Sequence, residues 1–136
     1  MGLRIEGAAE FERKLADIGR RFPQARDKFL KQEAELVKGR AVLRTPVGKV
    51  KGGTLRAAWS RTQPAGGRIE VYNNTDYAAH VEYGHRLKNR KTKEWLRDKT
   101  GKLKFVPGVK MLEQAIDTTR GTIQADARKI LGDLFK

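Results

Sequence analysis

The sequence has no cysteine, one serine (Ser60) and two histidines (His80 and His85) in 136 residues. Without cysteine there is no disulfide, no thiolate metal site and no cysteine nucleophile, which fits a reducing compartment. Ser60 lacks the Gly-x-Ser-x-Gly surroundings of a nucleophile elbow, so a serine triad is not expected. The histidines flank Glu82 as His-x-Glu-x-x-His. The zinc helix signature needs histidines four apart on one face. Here they are five apart, with Gly84 between them and no third ligand in evidence. No apolar run approaches the roughly 20 residues of a membrane span. The N-terminal Met1–Gly7 has no signal-peptide core, and Glu6 stands where a myristoylation signal has Ser or Thr. Acidic pairs such as Glu10 and Glu12, or Glu33 and Glu35, sit among basic neighbours and read as solvated helix faces. No metal, cofactor or catalytic set is expected, and the chain reads as a non-enzyme.

What is abundant is positive charge: 30 Lys and Arg against 16 Asp and Glu, a net +14. Such a surface is attracted to polyanions, whether nucleic acid, an anionic membrane or an acidic protein. It says nothing about sequence-specific recognition. The length fits one domain spanning residues 1–136 with a modest core.

The apolar spacing predicts helices at both ends of the chain. Phe11, Leu15, Ile18 and Phe22 recur at helical steps over 8–22. Pro23 removes a backbone donor and is read as the break before a second helix over 24–44. Gly39 weakens that second helix by about 1 kcal/mol relative to alanine. Thr45-Pro46 closes it. Val47–Gly53 is rich in Gly and Lys but lacks the Walker pattern, so it reads as a flexible loop rather than a phosphate cradle. Thr54 is the expected cap of a short helical turn. Strands near 59–63 and 68–73 flank the Gly66-Gly67 turn and form an antiparallel hairpin. A short helix over 77–83 is expected, capped by Asp76 and stopped by Gly84. A returning strand at Phe105-Val106 precedes a long helix from about Val109 to Leu134. Leu112, Ile116, Thr119, Ile123, Ala127, Ile130 and Leu134 form its apolar stripe. The fold class is α+β: a small antiparallel sheet packed by two N-terminal helices and a long C-terminal helix.

Between these elements, residues 85–104 form a long basic loop with nine basic and two acidic side chains, half of the net charge. Lys and Arg here suit phosphates without base readout. Trp95 suits stacking on a base or support of a partner surface. A solvated loop, mobile when alone and ordered in an assembly, is the plainer reading. No helix-turn-helix, zinc finger or stacking motif accompanies it.

Thr45-Pro46, then Gly53-Thr54-Leu55-Arg56-Ala57-Ala58-Trp59, resembles the "TP…tG-x-L-R-x-S" stretch of a phage tail-component family. These are head–tail joining, neck or tail-completion proteins of tailed phages and prophages, the gene-product-ten-like group. The resemblance continues through Asn73-Asn74-Thr75-Asp76-Tyr77-Ala78-Ala79-His80-Val81-Glu82-Tyr83-Gly84-His85 and the turn at Phe105-Val106-Pro107-Gly108 before the last helix. Departures are the longer Lys49-Val50-Lys51-Gly52-Gly53 and the length of the basic loop. The resemblance implies no enzymatic activity and a structural virion protein, assembled in the host bacterial cytoplasm. It implies a ring of this chain, hexameric or alternatively dodecameric, at the head–tail junction or the top of the tail. Neighbours would be connector, tail-terminator or tail-tube proteins, with DNA passing without sequence specificity and no membrane partner. Within the motif, Leu55, Tyr77 and Val81 are expected in the core and Gly84 at a sharp exit. Arg56 and Glu82 read as an acid–base pair bridging within or between subunits, or as separate surface charges. Candidate assembly or channel residues are Lys49, Lys51, Arg56, Glu82, Arg86, Lys88, Arg90, Lys91, Lys93, Trp95 and Arg97. The other class compatible with the composition is a small non-specific nucleic-acid-binding protein.

Overall fold

A computed structural model describes residues 2–4, 6–48 and 52–136. The fold is α+β. Helix α1 (Ala8–Arg44) is followed by α2 (Thr54–Ala57), strands β1 (Trp59–Arg61) and β2 (Val71–Asn73), and helix α3 (Ala78–Tyr83). Strands β3 (Gly84–Arg86) and β4 (Phe105–Pro107) precede the long helix α4 (Met111–Leu134). The two strand pairs are separate two-stranded antiparallel sheets.

The expected break at Pro23 is absent: α1 runs unbroken through it for 37 residues, about 55 Å. The donor that Pro23 lacks would have bonded the Gly19 carbonyl, and both positions are exposed, so that oxygen is open to solvent rather than buried without a partner. Packing on both sides of the proline holds the helix together. Arg21 Nη2 donates to the Leu134 carbonyl at 2.6 Å. Phe22, Ala25 and Phe29 face Ala127, Ile130 and Leu134 across a small apolar cavity. The N-terminal helices are therefore one.

Helix α4 lies antiparallel along α1. Arg40 Nη1 reaches Thr119 Oγ1 at 2.7 Å and Arg44 Nη2 reaches Thr118 Oγ1 at 3.1 Å, while Arg21 meets Leu134 at the other end. The expected α4 stripe is buried or half-buried along its length. The deepest positions are nevertheless Met111 and Ala115, one step to its side. With Ala41, Leu55 and Trp59 they form the core, and Val37, Val71, Val81 and Leu112 pack around it. The core thus sits at the C-terminal end of α1, where α2, the β1–β2 hairpin and α3 gather.

The hairpin forms as expected, pairing Trp59 with Asn73, Ser60 with Tyr72 and Arg61 with Val71. Ala65 and Arg68 exchange backbone hydrogen bonds of 3.0 Å across Gly66-Gly67, so the turn has two residues. Two caps differ from expectation. Thr54 is the first residue of α2, with Gly53 as its N-cap, and α3 is capped by Tyr77 rather than Asp76.

Candidate functional site

The residues that carry the motif converge on two hydrogen-bonded nodes around the core. In the first, Thr45 is almost wholly buried at the end of α1. Its hydroxyl donates to the Ala41 carbonyl at 2.6 Å and accepts from Trp59 Nε1 at 2.8 Å. Arg56 Nη2 donates to the Thr45 carbonyl at 2.8 Å, and Asn73 Nδ2 to the Leu55 carbonyl at 2.8 Å. Buried polar groups must be paired, and here they pair α1, α2 and the hairpin to one another.

The second node is Glu82, only 8% exposed. Its two carboxylate oxygens accept from the backbone N–H groups of Leu112 and Glu113, both at 2.9 Å. These are among the donors that a helix start leaves unsatisfied, and the carboxylate also meets the positive end of the α4 dipole. The chain around it is latched as well: Val109 N donates to the Val81 carbonyl at 2.7 Å and Lys110 N to the Glu82 carbonyl at 3.1 Å. This approach requires glycine twice. A Cβ on Gly84, whose φ is +84°, would lie 2.4 Å from the Val106 carbonyl oxygen, and one on Gly108 would lie 2.1 Å from that of Glu82.

Of the readings of Arg56 and Glu82, a bridge between them within the chain is not made. Arg56 binds a carbonyl at the end of α1, and Glu82 caps α4 from within its own chain. Of the three expected core residues, Leu55 is buried and Val81 packs against the core, but Tyr77 is 44% exposed. His80 and His85 come together, ring centres 5.4 Å apart, while the Glu82 carboxylate between them in sequence is committed to α4.

Residues 85–104 form a hydrogen-bonded β excursion. Gly84, His85 and Arg86 pair with Pro107, Val106 and Phe105, and bridges join Lys88 to Trp95 and Arg97 to Leu103. Two polar side chains knit its turns. Asn89 Oδ1 accepts from the backbone of Lys91 and Thr92. Asp98 accepts from Thr100 N, Thr100 Oγ1 and Lys102 N. The Thr100 hydroxyl, followed by these backbone donors, holds the Asp98 carboxyl below its ordinary range. The ordered scaffold carries Arg86, Lys88, Arg90, Lys91, Lys93, Trp95 and Arg97 as exposed side chains on one segment. Two of them have local duties: Lys88 Nζ lies 4.2 Å from the centre of the Trp95 ring, a cation–π contact, and Arg97 Nη1 donates to the Gly101 carbonyl. Lys49 and Lys51 lie outside the described residues.

Two features went unread in the sequence. Phe11 and Leu15 are 62% and 51% exposed and Phe22 is exposed as well, because α4 ends level with Arg21 and does not reach along the start of α1. Glu33, read as a solvated acid, is only 6% exposed. It borders an apolar cleft of about 360 Å³ between α1, β2 and α4. As a carboxylate neither of its oxygens has a hydrogen-bond partner. Burial, then a hydrogen bond shared with the Asp126 carboxyl and the charge of that carboxyl, pushes its pKa up to about 7 against the pull of Arg40. Glu35, two residues on and on another side of the helix, instead pairs with Arg61, which holds its carboxyl below the ordinary range.

The arrangement is a polar frame around a core, with charge and apolar surface projected away from it. Over residues 9–84, more than half of the chain, the sequence matches the family model described as "Bacteriophage HK97-gp10, putative tail-component". The protein belongs to this bacteriophage tail-component family. The match runs from the overhanging start of α1 to Gly84 and contains both the Thr45 node and Glu82. The turn at Pro107 and helix α4, which also carry the resemblance, lie beyond it. No curated protein and no solved structure matches the chain.

Proposed function

We propose that this tail-component protein is a structural, non-enzymatic part of the virion, forming a closed ring at the head–tail junction or the top of the tail. In this reading six copies, or twelve on a portal-matched ring, connect head and tail. The basic excursion over 85–104 lines the channel through which DNA passes. Connector, tail-terminator or tail-tube proteins lie above and below, and the ring is assembled in the host cytoplasm.

The observation that carries the reading is the family match joined to the division of the molecule. The motif residues are spent on internal hydrogen bonds, and half of the net charge stands on one ordered projection. A channel lining needs positive charge without base readout, which Lys and Arg on a fixed hairpin provide. Deletion of residues 87–102 is expected to spare the frame and impair assembly or DNA passage. Normal particles and infectivity after that deletion remove the excursion's role.

The same charge favours a second reading, a small non-specific nucleic-acid-binding protein. Native mass measured across protein concentration and salt, beside a DNA gel shift, separates the two. A discrete hexamer or dodecamer supports the ring. A monomer at all concentrations that binds DNA with a steep salt dependence supports the alternative.

A further inference from the structure

The charges of the basic excursion stand in a different situation from those of the helices. Every ion pair among the described residues lies outside 85–104, most of them along α1 and α4. None of the nine basic side chains of the excursion takes part in one, and all nine are exposed. Of its two acids, Asp98 is spent on Thr100 and on the backbone of Lys102. Glu94 makes no ion pair among the described residues. This unanswered charge is held in place. The excursion is a stem with two lobes: the Lys88–Trp95 bridge closes a turn over 89–94, and the Arg97–Leu103 bridge closes one over 98–102. At their junction Leu87, Leu96 and Lys104 are joined in a triangle by backbone hydrogen bonds of 3.0, 2.9 and 2.8 Å. Leu87, Leu96 and Leu103 are half-buried, so the leucines are sheltered and the cations are outside. The alternation of extended chain puts Arg86 on the side of Lys88, and Arg97 on the side of Trp95, whose ring Lys88 covers.

We propose that the excursion grips the phosphate backbone of duplex DNA, independently of sequence, through the face that carries Arg86, Lys88 and Arg97 and through the cations of the two turns. The make-up of the surface selects the partner. Six of the nine cations are lysine, a residue depleted at protein–protein interfaces. Such interfaces are also centred on an apolar or aromatic anchor, whereas here the leucines are sheltered and Lys88 occupies one face of the Trp95 ring. That occupation also argues against a single strand, whose bases need open aromatic faces on which to stack. Phosphates ask only for exposed positive charge at fixed positions. Because the scaffold is already ordered, binding carries little ordering cost. This inference rests on the reading of the excursion as the part that faces DNA, and adds that the chain itself holds the duplex, by its phosphates and with or without the ring.

The test is fluorescence anisotropy of a short labelled duplex titrated with the full chain over a range of salt. About half of the cations can meet one duplex from one side, roughly four phosphates, so affinity should fall about 100-fold between about 50 and 200 mM salt. A duplex of unrelated sequence should bind equally. Arg86→Gln, Lys91→Gln and Lys99→Gln in one chain should weaken binding at least about 10-fold and flatten the salt slope by about 1 for each cation lost. Arg13→Gln, Lys28→Gln and Lys31→Gln in one chain remove the same charge from α1 and should change affinity by less than about 3-fold, because charge beyond the Debye length is screened. All six side chains are exposed, so both variants should unfold at the wild-type temperature, and the wild-type measurements stand without them. Equal losses in the two triple variants overturn the proposal, since attraction then follows net charge alone. No binding at about 50 mM salt overturns it, as does tighter binding to polyglutamate or to a single strand of the same length than to the duplex. Native mass of the wild type keeps the two readings apart. A ring that ignores DNA overturns this inference and leaves the ring standing, whereas a monomer that holds the duplex through the excursion upholds it and removes autonomous ring formation.

Discussion

The two ends of α1 have opposite surroundings. At its C-terminal end, Ala41 and Thr45 are buried against Met111, Leu55 and Trp59, and the polar groups there are bonded. At its N-terminal end, the apolar side chains of Phe11, Leu15 and Phe22 stand exposed among the described residues. Helical periodicity is present at both ends, so amphipathicity alone did not reveal which row is core. The difference comes from how far α4 reaches: it covers α1 back to Arg21 and stops. One end of the helix holds the fold, and the other presents exposed apolar side chains.

The largest effect on this contrast should come from the closed end. Gly84→Ala places a Cβ against the Val106 carbonyl at a positive φ, a clash that costs about 3 kcal/mol or more. Thermal unfolding should show a large loss of Tm or no folded protein. Next is Glu82→Ala, which strips two charge-assisted acceptors from the start of α4 and should cost about 2–3 kcal/mol in urea unfolding. Glu82→Gln should recover part of it, since the amide oxygen still accepts one bond.

Glu33 lies between the two ends and should act with the opposite sign. Its folded pKa of about 7 lies above its ordinary 4.5. The folded state therefore holds this proton more tightly than the unfolded chain. The stability this contributes is fully present below about pH 4.5 and is lost as pH rises through 7. Glu33→Gln should flatten that decline and stabilise the isolated chain at pH 8 by roughly 1–3 kcal/mol. Unfolding curves at pH 4, 6 and 8 check it, and identical pH profiles for the two proteins contradict it. Trp59→Phe removes one bond, to the Thr45 hydroxyl, and should cost about 1 kcal/mol in the same measurement. The smallest effect on folding belongs to the open end: Leu15→Asp should change stability by less than about 0.5 kcal/mol.

Much of this fold was legible in the sequence, and the places where it was not share a cause. The hairpin, the short helix before Gly84, the returning strand and α4 follow from local spacing and turn chemistry. Pro23 misled because the penalty of proline depends on whether its i−4 carbonyl can find water and whether packing holds both flanks, and neither is a local property. Glu82 and Glu33 are both acids within helices, indistinguishable by spacing. One meets the start of α4 thirty residues away, and the other is covered by apolar side chains from three elements. Arg56 and Glu82 stood out as a pair because they carry opposite charge, yet each found a backbone partner instead. The basic excursion was visible as composition, while its order depends on Asn89 and Asp98 closing turns, a role that charge counting passes over. The apolar row over 8–22 was legible as a stripe, but its exposure follows from where α4 ends, which no local spacing shows.

The most direct test of the division between the two ends is native mass spectrometry paired with thermal unfolding on the wild type and on Leu15→Asp. The account predicts a discrete wild-type ring of six or twelve copies, and a Leu15→Asp variant that still unfolds in one cooperative transition because residue 15 lies outside the core. A wild type that is monomeric at every concentration, or a variant that loses its fold, contradicts it.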